Sequence, residues 1–258
     1  MTYCRPQTWW MVVAAIVAAG LEIPALGAPQ LSPPAPQSAS TEASQLSPEL
    51  RGDLAMARQQ YVAAIQAYQE DPTTSAVIFN KIGMAYHHLF AMDSARRNYL
   101  HALKLRPNYP EALNNLAAVY YARKQYHKAE KLYRKAIQLA PKSAAVYSNL
   151  GTDYFAEHKP ELGIEALRTA FALDPRVFDA NAGELVSESL PARDRAAQDY
   201  CLARLYAQSG HKDQALEYLR RALNEGFDDK KKLLEDQQLA SLRATPEFAQ
   251  LMTEQKLR

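Results

Sequence analysis

Residues 110–143, PEALNNLAAVYYARKQYHKAEKLYRKAIQLAPKS, hold the same residue classes at the same places as the 34 residues before them and the 34 after them. Pro107, Pro141 and Pro175 mark the period, each standing 34 residues from the next. In residues 76–109 the pattern reads Phe79, Ile82, Gly83 and Tyr86, then Ala95, Tyr99, Ala102 and Pro107. Residues 110–143 answer with Leu113, Leu116, Ala117 and Tyr120, then Ala129, Tyr133, Ala136 and Pro141. Residues 144–177 give Tyr147, Leu150, Gly151 and Tyr154, then Gly163, Leu167, Ala170 and Pro175. A fixed period of this length, with apolar residues at helical spacing inside it, predicts stacked units of two helices each. The small residues belong where the two helices of a pair cross closely, since a larger side chain would force them apart. Tyr and Leu fill the space between one pair and the next, and the closing Pro ends the second helix because it has no amide to donate. No such unit buries its face alone, so each needs its neighbours.

Read as bulky, Leu, Gly or Ala, Tyr, then Ala, aromatic, Ala, Pro, the pattern resembles the tetratricopeptide-repeat signature, and the resemblance covers roughly residues 45–258. It implies an all-α fold, a right-handed α-solenoid of stacked helix pairs with a C-terminal helical cap. It also implies a non-catalytic adaptor or scaffold that binds protein partners.

The flanks are less regular. Residues 47–75 fit a degenerate repeat through Gly52, Ala55, Ala64 and Tyr68, with the second helix cut short at Asp71-Pro72. Its first helix is predicted to start at Ser47-Pro48-Glu49, a cap, a first-turn Pro and an acid suited to the positive helix end. After an irregular insertion at 178–194, residues 195–227 recover the pattern through Leu202, Ala203, Tyr206, Gly210, Ala215, Leu219 and Ala222. Residues 228–258 resemble the ending of bacterial members of the family, with Leu233, Leu234, Leu239, Leu242, Phe248 and Leu251 as apolar cover for the last stacking face.

Residues 1–28 have the three parts of an export signal: Arg5 as the lone early charge, an apolar stretch from Trp9 to Leu21, and small residues at Ala25, Gly27 and Ala28. The apolar run of about thirteen residues is shorter than the roughly twenty needed to span a membrane, so a cleaved signal is expected and a retained anchor is the alternative. Residues 29–46, rich in Pro, Ser and Ala, read as a disordered linker. The chain is therefore expected to work in the cell envelope, periplasmic or secreted.

With 48% apolar residues and a formal charge of +2 over 258 residues, the chain has material for a real core and little long-range pull on nucleic acid. No nucleic-acid partner is expected. The basic segment Arg123–Lys135 reads as the solvated face of an outer helix, because Ala129 and Tyr133 are used by the repeat core. Of the two cysteines, Cys4 would leave with the signal and Cys201 reads as an inert thiol on a helix. No metalloprotease, phosphate-loop or nucleophile-elbow motif is present, so neither catalysis nor a cofactor is expected. His87 and His88 are adjacent on a helix and point about 100° apart, which suits no single metal.

Function is expected in the concave groove lined by the first helix of each unit. The candidates are Asn80, Lys81, Met84, His87 and His88 in the first unit. Asn114, Asn115, Ala118 and Tyr121 follow in the second, and Ser148, Asn149, Thr152 and Phe155 in the third. Asn115 and Asn149 stand at the same place in successive units, and a row of amides can bind the backbone of an extended peptide without demanding a sequence. Some family members grip a terminal carboxylate in this groove; here Ala145 and Asn149 stand where that grip would need basic residues, so it is not expected. The competing reading is an accessory subunit of an envelope enzyme or secretion assembly that docks through its convex face.

Overall fold

The computed structural model describes residues 46–73, 75–178 and 190–254. The expected export signal at 1–28, nearly all of the linker at 29–46 and most of the insertion at 178–194 lie outside the described residues. Among the described residues every regular element is a helix, and all lie in one compact unit spanning residues 43–258. The helices come in antiparallel neighbours: α1 (Pro48–Ala57) with α2 (Tyr61–Gln69), α3 (Ala76–His88) with α4 (Met92–Leu105), and α5 (Pro110–Ala122) with α6 (Tyr126–Leu139). Next come α7 (Ala144–Ala156) with α8 (Pro160–Leu173), a 3-10 turn at Pro175–Phe178, and α9 (Ala192–Gln208) with α10 (Lys212–Asn224). The tail adds α11 (Lys230–Glu235), a 3-10 turn at Gln237–Leu239, α12 (Ala240–Arg243) and α13 (Pro246–Glu254). Successive pairs pack through the second helix of one and the first of the next, α2 on α3, α4 on α5 and α6 on α7, which makes the stack a solenoid.

One spacing holds every pair together. A large side chain of the second helix lies over a position sixteen residues earlier where the first helix has little or no side chain. The ring of Tyr68 lies 2.2 Å from where a Cβ on Gly52 would sit, that of Tyr99 lies 2.5 Å from one on Gly83, and Leu167 lies 2.7 Å from one on Gly151. Ala117 with Tyr133 and Ala203 with Leu219 keep the same spacing, and all four are fully buried.

The turn inside each pair is built alike. Gln59, Phe90, Lys124 and His158 have φ between 55° and 58°, and Gly210 has φ 82°. The residue after each donates its amide five residues back: Gln60 to Ala55, Ala91 to Tyr86, Gln125 to Tyr120, Lys159 to Tyr154 and His211 to Tyr206, at 2.8–3.0 Å. This is the Schellman ending, which satisfies carbonyls the helix leaves open. Four of the five turns place a residue with a side chain in the left-handed region, at a cost of about 1–2 kcal/mol each that the turn's hydrogen bonds offset.

At the far end, Leu233, Leu239, Leu242, Phe248 and Leu251 are buried against the last pair, whereas Leu234 is 54% exposed. Leu234 thus gives no cover, because adjacent residues on α11 point to different sides. Asp236 fastens the cap: it accepts from the Tyr200 hydroxyl at 2.7 Å, lies 2.8 Å from Arg204 Nε, and caps the amide of Gln238. None of the described helices is long and apolar enough to cross a membrane.

Helices α7 and α8 meet through glycine on both sides. Gly163 stands where the two preceding units have Ala95 and Ala129, and the ring of Phe155 fills the room, 2.7 Å from a Cβ added at Gly163. Gly163→Ala is therefore expected to destabilise the fold by about 1–3 kcal/mol in urea unfolding, although Ala is the better helix former. Combining it with Phe155→Leu should recover part of the loss, and strict additivity of the two changes would show that they do not meet.

Candidate functional site

The inner face is formed by the first helices, α3, α5 and α7, which touch one another along the stack. Their amides join in one chain. Asn149 Nδ2 donates to Asn114 Oδ1 at 3.0 Å, Asn114 Nδ2 to Asn115 Oδ1 at 3.4 Å, and Asn115 Nδ2 to Asn80 Oδ1 at 3.1 Å. Asn80 in turn points its amide at Met84 Sδ, 3.7 Å away, and also bonds the Tyr109 side chain. The repeat period of 34 puts Asn115 and Asn149 in register, but the bonds that cross between helices join residues 35 apart. A side chain leaning back along the stack reaches the residue one step before its equivalent, and Asn114-Asn115 as neighbours allow the relay to pass through a single helix.

Lys81, which shares the register of Asn115 and Asn149, is turned toward the first pair. Its ammonium bonds Glu49 at 2.7 Å and both oxygens of Asp53 at 2.7 and 2.8 Å. Burial alone would lower its pKa, yet the hydrogen bonds to Asp53 and Glu49 outweigh that and hold it above the ordinary lysine value. Glu49 and Asp53 are not among the expected site residues, and the hint to them is their i,i+4 spacing on α1.

The remaining candidates divide by depth. Met84 is 37% exposed, and His87, His88, Asn114, Asn115 and Asn149 are half-buried. Asn80, Ala118, Tyr121, Ser148, Thr152 and Phe155 are buried, none above 8% exposure. His87, Tyr121 and Phe155 share one register position, and it points between the two helices of a pair rather than outward. Tyr121 meets the ring of Tyr126 at 5.6 Å, and Phe155 fills the space at Gly163. Ser148 and Thr152 are closed off from solvent on α7, a helix that also packs against α9. The accessible part of the face is therefore the stretch over α3 and α5 with Asn149 at its edge.

His87 has its pKa pushed down to about 4 by burial and by the neighbouring His88, so it is neutral at pH 7. His88 is lowered by burial and stacks on Tyr61, ring centres 4.8 Å apart. Among the described residues no group of His, Cys, Asp and Glu is arranged to hold a metal. The Cys201 thiol is buried, which pushes its pKa up to about 11 and leaves it in the unreactive protonated form.

Beneath the face, Asp153 on α7 is fully buried and its carboxyl oxygens have no hydrogen-bond partner among the described residues. Burial, then Glu157 and Glu130, push its pKa up to about 8, with Lys159 opposing. An Asp in an unfolded chain titrates at about 3.9, so the folded chain binds this proton more tightly. Its contribution to stability is complete below pH ~4 and is lost as pH rises through about 8. Asp153→Asn should match the wild type near pH 4 and exceed its stability by several kcal/mol, up to roughly 5, at pH 9 in urea titrations. Parallel curves at all pH values would mean that the carboxyl is ionised and hydrated.

Two family models described as tetratricopeptide repeat match the chain, one over residues 74–142 and again over 108–176, the other over 202–232. No curated protein matches the sequence. Among solved structures the chain is similar to one from Pseudomonas aeruginosa described as the functional characterisation of pilF, at 18% identity and a TM-score of 0.53, over 84% of this chain and 91% of that one. It is also similar to a thermophilic TPR protein of Thermus thermophilus, at 18% identity and a TM-score of 0.49, over 76% and 97% of the two chains. A third likeness is MamA from residue 41 onward of Desulfovibrio magneticus, at 22% identity and a TM-score of 0.47, over 71% and 95%.

Proposed function

The chain belongs to the tetratricopeptide-repeat proteins, a family of protein-interaction scaffolds, and from that premise we propose that it is an envelope adaptor that holds a peptide segment or partner subunit on the inner face of α3 and α5. The observation behind this reading is the amide chain from Asn149 to Asn80. An Asn side chain has two donor hydrogens and two acceptor lone pairs, and each bond within the chain uses one of either kind. Asn114, Asn115 and Asn149, all half-buried, keep capacity for a ligand while their orientation is fixed by their neighbours, and the buried Asn80 anchors the end of the row. A peptide backbone, which presents donors and acceptors in alternation, is the partner such a row fits without reading side chains. Met84, 37% exposed, offers apolar contact beside it, and Lys81, already held by two carboxylates, adds no free charge. The envelope setting is supported by the export-like composition of residues 1–28.

The test is capture from envelope extracts on the immobilised protein, run beside the Asn115→Ala, Asn149→Ala double variant, with retained proteins identified by mass spectrometry. Under this reading at least one partner is retained by the unmodified protein and falls at least tenfold on the variant, both proteins giving the same melting profile. A partner retained equally by both removes the amide row from recognition.

A further inference from the structure

A second surface lies on the opposite side of the same repeats. Between α4 and α6, over the outer side of α5, runs an open groove of about 470 Å³. Its floor is apolar: Leu103 and Leu132 are half-buried, Leu113 and Leu116 nearly inaccessible, and Leu100 on one bank is 41% exposed. Along the other bank stand Lys128, Lys131 and Lys135 on α6. At 1.5 Å per residue these three charges span about 10 Å, one on each successive turn.

Among the described residues none of the three lysines makes an ion pair, whereas Arg123 on the same solenoid holds Asp93, Arg134 holds Glu130, and Lys159 holds Glu157. Lys128 instead rests over the Tyr120 ring and bonds Gln125, and Lys135 donates to the Pro107 carbonyl. The wider charge is also lopsided. Residues 92–142 contain eleven Lys and Arg against three Asp and Glu, so this stretch alone is +8 in a chain whose total is +2.

We propose that this convex groove is a docking site for an acidic amphipathic helix of a partner protein. Charge complementarity commits the occupant: a ligand helix with carboxylates at i, i+3 or i+4, and i+7 along one side repeats the spacing of Lys128, Lys131 and Lys135, and an apolar stripe beside them enters the leucine floor. A flat anionic membrane fits less well, because the floor leucines Leu113 and Leu116 are nearly inaccessible and only Leu100 on the bank is open to a flat surface. A single fatty acid would satisfy one of the three charges. Nucleic acid would find one aromatic ring in the lining, Tyr120, already covered by the Lys128 ammonium, where a base-stacking surface needs a succession of open rings. The site is separate from the amide face, so it stands or falls independently of the inner-face reading.

The experiment uses the full chain and a synthetic 18-residue helical peptide with a Leu stripe flanked by Glu at those spacings, followed by fluorescence anisotropy. A peptide with every Glu changed to Lys, and phosphatidylglycerol vesicles, are the comparison probes. The acidic peptide should bind saturably, weaken as salt is raised, and weaken at least tenfold in the triple variant Lys128→Glu, Lys131→Glu, Lys135→Glu and at least fivefold in Leu100→Gln. Both variants alter side chains that line the open groove, and matching melting curves confirm that they fold. The Asn115→Ala, Asn149→Ala protein should bind the acidic peptide unchanged. Failure of that peptide to saturate, equal binding by the lysine-bearing peptide, or indifference to either groove variant overturns the proposal. Vesicle binding that depends on the three lysines without peptide binding overturns it in favour of a membrane.

Discussion

Each helix pair depends on one contact: a large side chain seated on backbone that has little or no side chain of its own, sixteen residues before it. Tyr68 on Gly52, Tyr99 on Gly83 and Leu167 on Gly151 bring the two helix axes close enough for the apolar positions around them to meet. The length of the connection follows. With the two contacting residues fixed sixteen apart, the turn between them has room for only a tight helix ending, and the left-handed residue with its amide bond five back recurs in all five pairs. Since the turn and the contact are both set, the second helix leaves each pair in the same direction, and the next pair has one place to stack. The buried tyrosines and leucines between pairs then decide how far each repeat rotates, and thereby which residues of the first helices reach the inner face.

The same contact explains what is legible from residues alone. Small-then-large alternation at a constant period identifies the helix pairs, their order and the family, because those residues answer to a local steric demand that differs little from one repeat to the next. The inner face is only partly legible. Residues at the position of His87, Tyr121 and Phe155 have helical spacing compatible with a groove, but whether the position faces out depends on how the turn brings the second helix back. Phe155 is buried because Gly163 leaves a hole for it, a relation between two helices that no single helical pattern records. Ser148 and Thr152 lie on α7, whose packing beside α9 follows a break in the repeat that the period does not record. The amide chain escapes for a subtler reason: superposing repeats pairs residues 34 apart, while side chains leaning along the stack pair those 35 apart.

Net charge is the least informative quantity. A total of +2 suggests a neutral surface, yet it is the sum of a strongly basic middle and an acidic remainder. Where the acids are close to basic residues they are engaged in local pairs such as Arg123 with Asp93 and Lys81 with Glu49 and Asp53. The charges available for a partner are those left over, and on α6 they gather beside the apolar groove of the convex side. Electrostatic complementarity of this kind acts mainly on encounter rate and choice of partner, with affinity supplied by the apolar floor.

Helix α5 serves both faces. In the run Leu113-Asn114-Asn115-Leu116, the two amides belong to the inner relay and the two leucines to the floor of the outer groove, since successive residues on a helix turn by about 100°. A ligand on either side would therefore load the same helix. That helix is nonetheless held from within by Ala117 against Tyr133 and by the buried Ala112 and Val119, close-packed positions that leave room for one arrangement. Coupling between sites requires an element with two states that both ligands bias. The close packing of α5 supplies no second arrangement of this kind, so under the two proposals the inner and outer faces are expected to fill independently.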